Sequence, residues 1–178
     1  MRQHFYQKIP HWFDFEDVYR EAIRRAPDRG ARLVELGVYE GASLAFLAVE
    51  AIRSGKGIQI TGVDKFDWPA GVLQRVEAWI REEKLGELVK LERSYSWDAA
   101  DKFPDGSLDF VFVDASHVEA DVLRDLRAFF PKLKPTGYMA GHDWCDEFPG
   151  VERACRKFFG DVGRKVAPCS ARSWKMGP

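Results

Sequence analysis

Arg32-Leu33-Val34-Glu35-Leu36-Gly37-Val38-Tyr39-Glu40-Gly41-Ala42-Ser43 is the stretch whose reading decides the fold. Its first part, Arg32 to Leu36, is a short apolar run of strand length, and Gly37 ends it. From Ala42 to Arg53 the apolar residues recur at helical spacing, and Gly55 closes the run. Gly37 and Gly41 let backbone approach a ligand closely, and Ser43 is placed to cap the helix behind them. Strand, glycine turn and helix in that order open a βαβ unit.

The alternation continues outward. On the amino side, Phe15, Val18, Tyr19, Ala22 and Ile23 predict a leading helix from Asp14 to Ala26, with Asp14 as N-cap and Pro27 as stop. On the carboxyl side, strands are expected at Ile58–Val63, Leu88–Leu91, Leu108–Val113 and Tyr138–Gly141. Helices are expected from Pro69 to Leu85, Trp97 to Lys102, Val118 to Phe130 and Gly150 to Phe159. Pro104-Asp105-Gly106 and Pro135-Thr136-Gly137 read as turns. Val162–Val166 and Ala171–Lys175 would supply two closing strands, a hairpin around Pro168. The pattern implies an α/β fold, a mostly parallel sheet with helices on both faces and right-handed crossovers. At 178 residues the chain fits one domain, residues 1–178, with a leading helical segment over 1–30 and the core over 31–178.

Composition is that of an ordinary globular protein, 46% hydrophobic and 31% charged with a formal net charge of −1. Basic pairs such as Arg24-Arg25 have acidic neighbours, so no stripe long enough to track phosphates forms and no nucleic-acid partner is expected. Cys145, Cys155 and Cys169 match neither a metal knuckle nor a disulfide framework, which points to a reducing cytoplasm. Met1 to Tyr6 carries no apolar run of signal-peptide length, and no stretch elsewhere approaches the length of a membrane span.

In an open α/β sheet, ligands sit beyond the carboxyl ends of the strands. Those ends hold Glu35-Leu36-Gly37, Asp64, Ser94 to Asp98, Asp114 to His117, and His142-Asp143. The loop spacing E-x-G-x-x-x-G-x-S lacks the third glycine of the dinucleotide pattern, so it suits a ligand without phosphates, such as S-adenosylmethionine (AdoMet). Asp64, a little over twenty residues beyond Gly41, stands where an acid accepts hydrogen bonds from ribose hydroxyls. Taken alone it would serve equally as a helix cap or a surface partner of Lys65.

Val34 to Asp64, then Asp109 to His117, and Gly137 to Trp144 with Gly150-Val151 behind it, resemble the class I AdoMet-dependent methyltransferases. The likeness is to the small bacterial branch whose fourth strand ends in D-x-x-H and whose fifth ends in H-D-aromatic, and it runs from Val34 to Phe159. It implies a Rossmann-like sheet of seven strands in the order 3-2-1-4-5-7-6, strand seven antiparallel. It also implies that Glu35, Gly37, Gly41 and Ser43 line the methionine part of AdoMet, Asp64 the ribose and Ser96 the adenine, with Asp114 close to the cofactor. Tyr95 stands where relatives often have a small residue.

Asp114 and His117 can converge on one oxygen nucleophile or one cation. Methyl transfer from a sulfonium needs an in-line acceptor and removal of its proton, and an imidazole suits the second task, so His117 is the candidate base, with Asp114 and Asp143 orienting acceptor or metal. In similar metal-dependent O-methyltransferases the strand-four aspartate binds a divalent ion and a lysine lies three residues on; histidine departs from that pattern. A Mg²⁺ or Mn²⁺ site would use Asp114, His142 and Asp143. Asp121 and Asp125 read as solvated or helix-dipole partners, and Cys145 as inert. Trp68, Trp97 and Trp144 would wall the site, Trp79 the core, and Phe5, Tyr6, Trp12 and Phe13 would form a cover, ordinary packing or a patch for a homo-oligomer.

The expected activity is O-methylation of a small hydroxylated acceptor, a sugar or a phenol. An NAD-dependent oxidoreductase would place pyrophosphate at the same helix opening, and a non-catalytic binding module would hold AdoMet without turnover.

Overall fold

A computed structural model describes residues 2–177. The leading helix α1 (Glu16–Arg25) is followed by β1 (Arg29–Leu36), α2 (Ala42–Ser54), β2 (Gly57–Asp64), α3 (Val72–Glu82) and β3 (Val89–Arg93). Then come the short α4 (Ser96–Ala99), β4 (Leu108–Val113), α5 (Glu119–Phe129), β5 (Leu133–Gly141), α6 (Pro149–Asp161), β6 (Val166–Pro168) and β7 (Trp174–Met176). The seven strands form one sheet in the order β3-β2-β1-β4-β5-β7-β6. All pairs are parallel except β7, which runs antiparallel to both neighbours. This is the order that the sequence likeness implied.

The central strands are buried because helices cover both faces, so they read as unbroken apolar runs. Phe110, Val111, Phe112 and Val113 of β4 are all buried, as are Leu33, Val34 and Leu36 of β1. α2 packs most of its surface inward (Leu44, Ala45, Phe46, Leu47, Ala48), which explains why its sequence is apolar nearly all round. Among the described residues no helix is long and apolar enough to cross a membrane.

Several local expectations are corrected. Phe15, not Asp14, is the N-cap of α1, and no side chain caps that helix. Gly41, in the left-handed conformation, is the N-cap of α2, so Ser43 lies inside the helix. β5 begins at Leu133, five residues before Tyr138, because a register shift between Leu108 and Phe110 lets the strand continue through Pro135-Thr136-Gly137. Pro168 belongs to β6, and the hairpin turns instead at Cys169–Ser173, where the Cys169 N–H donates to the Ser173 carbonyl at 2.8 Å. Asp125 is fully buried on α5, not solvated.

Candidate functional site

The carboxyl ends of β1, β2, β4 and β5 surround a cavity of about 820 Å³, within the range of small-molecule sites. Residues 11–15 close one side of it and the β6–β7 turn reaches another. On the β1 side the glycine loop is shaped by contact. Gly37 has φ +90°, and a Cβ there would lie 2.0 Å from the Asp114 carbonyl oxygen, so only glycine lets β1 and β4 splay around the cavity floor. Glu40, behind the loop, is held by the Arg75 guanidinium of α3 at 2.7 and 2.8 Å.

Asp64 lines the cavity and also staples the loop to β2. Its carboxylate accepts the backbone N–H groups of Val38 at 2.8 Å, Tyr39 at 3.1 Å and Phe66 at 2.7 Å. Tyr39 and Phe66 are both left-handed, with φ of 50° and 52°, a strained state for non-glycine residues that these bonds support. A carboxylate offers about four acceptor positions, so about one remains for a ligand hydroxyl.

Glu35 lies beneath the loop and off the cavity wall, 1% exposed. The Ser43 hydroxyl, which does reach the cavity, donates to one Glu35 oxygen at 2.6 Å, and the other oxygen has no partner. Burial raises the Glu35 pKa from 4.5 to about 7, against the opposing pull of the Ser43 hydroxyl. Ser96 is buried beside Asp125 and is absent from the cavity wall, as are Trp97 and Trp144. Trp68 does line the cavity, and Trp79 lies in the core.

At the β4 and β5 ends, ligand atoms of Asp114, His117 and Asp143 lie within 4.8 Å of one another. His117 Nε2 is 2.7 Å from one Asp143 oxygen, and its ring packs 3.9 Å from Phe148. Burial raises the Asp114 carboxyl well above the usual range, and the negative charges of Asp143 and Glu35 add to this. Burial acts the same way on Asp143, but hydrogen bonds from His117 and His142 outweigh it and hold that carboxyl low. The two neighbouring acids are therefore pushed in opposite directions, Asp114 up and Asp143 down.

His142 stands apart from this trio. Its Nε2 meets Asp14 at 2.9 Å and its Nδ1 lies 3.3 Å from the second Asp143 oxygen. The cluster is thus Asp114, His117 and Asp143 where the sequence suggested Asp114, His142 and Asp143. The residues run as a chain, Asp14, His142, Asp143, His117, which ties the leading segment to the sheet edge. All of Trp12 to Phe15 line the cavity, but the segment alternates in burial: Phe13 and Phe15 are buried, while Trp12 and Asp14 are exposed. Trp12 stacks on Tyr39 with ring centroids 4.9 Å apart, and Tyr39 on Trp68 at 5.4 Å.

The model of a family described as a methyltransferase domain matches residues 34–144, more than half of the chain. The chain belongs to the methyltransferase domain family. AdoMet is the cofactor of that family. An uncharacterized protein, y4gI, of Sinorhizobium fredii is 29% identical over an alignment of 150 residues that covers 75% of this chain; the chain spans 16% of that relative's length. Solved structures share the fold at lower identity. A candidate caffeoyl-CoA O-methyltransferase from Staphylococcus aureus superposes with a TM-score of 0.72 at 12% identity, covering 97% of this chain and 87% of its own. The TDP-rhamnose 3′-O-methyltransferase of calicheamicin biosynthesis gives 0.71 at 17% identity, covering 90% and 76%. The O-methyltransferase NovP gives 0.71 at 17% identity, covering 90% and 77%.

Glu147, Phe148 and Arg172 line the methyltransferase cavity without having been singled out in the sequence, and Asp14, expected as a helix cap, lines it too. The alternation Trp12-Phe13-Asp14-Phe15 is a signal for Asp14, since a helix cap would not need it. Nothing local marks Arg172.

Proposed function

We propose that this methyltransferase transfers the methyl group of AdoMet to a hydroxyl of a small acceptor, a sugar or a phenol. The observation that carries the reading is the convergence of Asp114, His117 and Asp143 on a cavity that also contains the glycine loop. The chain's residues fit AdoMet: Gly37, Ser43 and Asp64 all line the cavity, and Asp64 keeps an acceptor position toward it. Gly37 and Ser43 would hold the methionine part and Asp64 the ribose, while Glu35 acts through Ser43 and Gly41, which is off the cavity wall, lets the loop pack against Trp79. When bound, AdoMet supplies an activated methyl group on a sulfonium.

The chain's own work is positional and acid–base. With Asp143 ionised, the His117 Nε2 proton lies on the 2.7 Å bond, which leaves Nδ1 with a free lone pair. Nδ1 takes the acceptor's hydroxyl proton, and Asp143 stabilises the resulting imidazolium, a contribution of about 10²–10⁴ in rate. Phe148 fixes the ring from its other face. The O-methyltransferase names among the structural neighbours support this direction.

A second reading is favoured by the same cluster. Two carboxylates and one imidazole within 4.8 Å suit a divalent cation, and an imidazole ligand favours Mn²⁺ over Mg²⁺. Asp114, His117 and Asp143 would hold it, since both His142 nitrogens face carboxylates. The cation would orient the acceptor oxygen and lower its pKa, taking over the work of the base.

The test is transfer of labelled methyl from AdoMet to a panel of sugars and phenols, with and without chelator. Label in a hydroxyl-bearing product, lost in His117→Ala, supports the reading. Product methylated on nitrogen or carbon, or turnover unchanged in His117→Ala, overturns it. Activity that chelator abolishes and Mn²⁺ restores selects the second reading.

A further inference from the structure

Beyond His117 the cavity wall is built from Glu147-Phe148, at the entry to α6, and Arg172, in the β6–β7 turn. Lysine and arginine side chains on the described cavity wall number two, Lys65 and Arg172. They lie at opposite ends of the site. Lys65 follows Asp64 at the end of β2 and sits 2.9 Å from Asp67, whereas Arg172 lies on the β5 and β7 side of the sheet.

Arg172 is presented from fixed backbone. Its carbonyl accepts the Trp144 N–H at 2.8 Å, the Ser173 N–H bonds the Ser170 carbonyl at 3.0 Å, and Trp174, two residues on, is completely buried. Its guanidinium, by contrast, is lightly used. Among the described residues its side-chain hydrogen bond is a single one, to Glu147 at 3.1 Å, and the two side chains are 51% and 62% exposed. An ion pair so exposed contributes little to stability, so exchanging Glu147 for a ligand's anion costs little. Four guanidinium N–H groups remain, in a planar fork that matches carboxylate or phosphate oxygens.

We propose that the acceptor carries an anionic group, a carboxylate or a phosphate, and that Arg172 recognises it, with Glu147 holding the guanidinium until the acceptor arrives. This rests on the methyltransferase reading above. The other carboxylates on this wall already have partners: Asp143 faces His117 and His142, and Asp14 faces His142. They leave Arg172 as the group with bonding capacity to spare. α6 starts at the same wall without a side-chain cap, and the field of its N-terminus has the sign that favours an anion.

The experiment measures binding of matched probes to the full chain saturated with S-adenosylhomocysteine, by calorimetry: protocatechuate against catechol, and glucose phosphate against glucose. The anionic member of one pair is expected to bind at least about tenfold more tightly, as a charge-assisted bidentate contact does. The pair that shows the difference tells carboxylate from phosphate. Arg172→Ala should erase the preference, Arg172→Lys should keep part of it, and Glu147→Gln should strengthen anion binding by freeing the fork. All three changes are at surface-exposed side chains, so the fold is retained.

If S-adenosylhomocysteine binds but charged and neutral probes bind alike, or not at all, the proposal fails while the methyltransferase reading stands. A preference that survives Arg172→Ala also overturns it. Absence of S-adenosylhomocysteine binding removes the underlying reading and the proposal with it.

Discussion

Glu35→Gln should make the protein more stable, and more so as pH rises. Glu35 is 1% exposed, one oxygen accepts the Ser43 hydroxyl and the other has no partner, and burial is the main reason its pKa rises from 4.5 to about 7. A carboxyl with a raised native pKa holds its proton longer when folded than when unfolded. Its stability contribution is therefore full below pH 4.5 and is lost as pH climbs through 7. The window spans about 2.5 pH units at about 1.36 kcal/mol each, so native wild type loses about 3 kcal/mol that a neutral glutamine would not lose. The variant's amide oxygen can still accept from Ser43. Urea denaturation from pH 4.5 to 8.5 should show a gap between variant and wild type that is smallest at acid pH and widest above pH 7. For a chain of this length the widest gap amounts to about 10 °C in Tm. A constant gap, or one that closes with rising pH, would refute the claim that burial governs this carboxyl.

Gly37→Ala should destabilise the fold by more than about 3 kcal/mol and abolish AdoMet binding, because its Cβ would meet the Asp114 carbonyl at 2.0 Å with φ at +90°; thermal melts and calorimetry read both effects. Asp64→Ala leaves the Val38, Tyr39 and Phe66 N–H groups without their acceptor. A loss of about 1–3 kcal/mol in stability is expected, with AdoMet affinity down at least about tenfold. In a Mn²⁺ titration followed by electron paramagnetic resonance, His117→Ala should weaken the ion by about tenfold or more and His142→Ala by less. Equal losses would return His142 to the ligand set.

The strand order was legible because each strand end and helix start carried its own signal. The apolar run at Leu108–Val113 matches β4 residue for residue, and Gly55 closes α2 as the C-cap observed. The family likeness added the order of the last three strands, which periodicity alone does not determine. What sequence could not supply were side-chain partners far apart in the chain. Asp14 looked like a helix cap because local spacing knows nothing of His142, 128 positions away. Asp125 has the spacing of an exposed helix residue, yet packing of α5 buries it and raises its pKa to about 7. His142 was the expected ligand and His117 the expected base, and only the Asp14 contact, invisible in sequence, shows that His142 is already engaged. Arg172 reaches the site through a hairpin whose turn lies at Cys169–Ser173, and its sequence has no regular pattern.

The central claim is that the glycine loop and Asp64 form an AdoMet site, and calorimetric titration of the folded protein with AdoMet and with S-adenosylhomocysteine tests it most directly. Saturable binding of one molecule of each per chain, weakened by Asp64→Ala, is the predicted result. A folded sample that binds neither would contradict it.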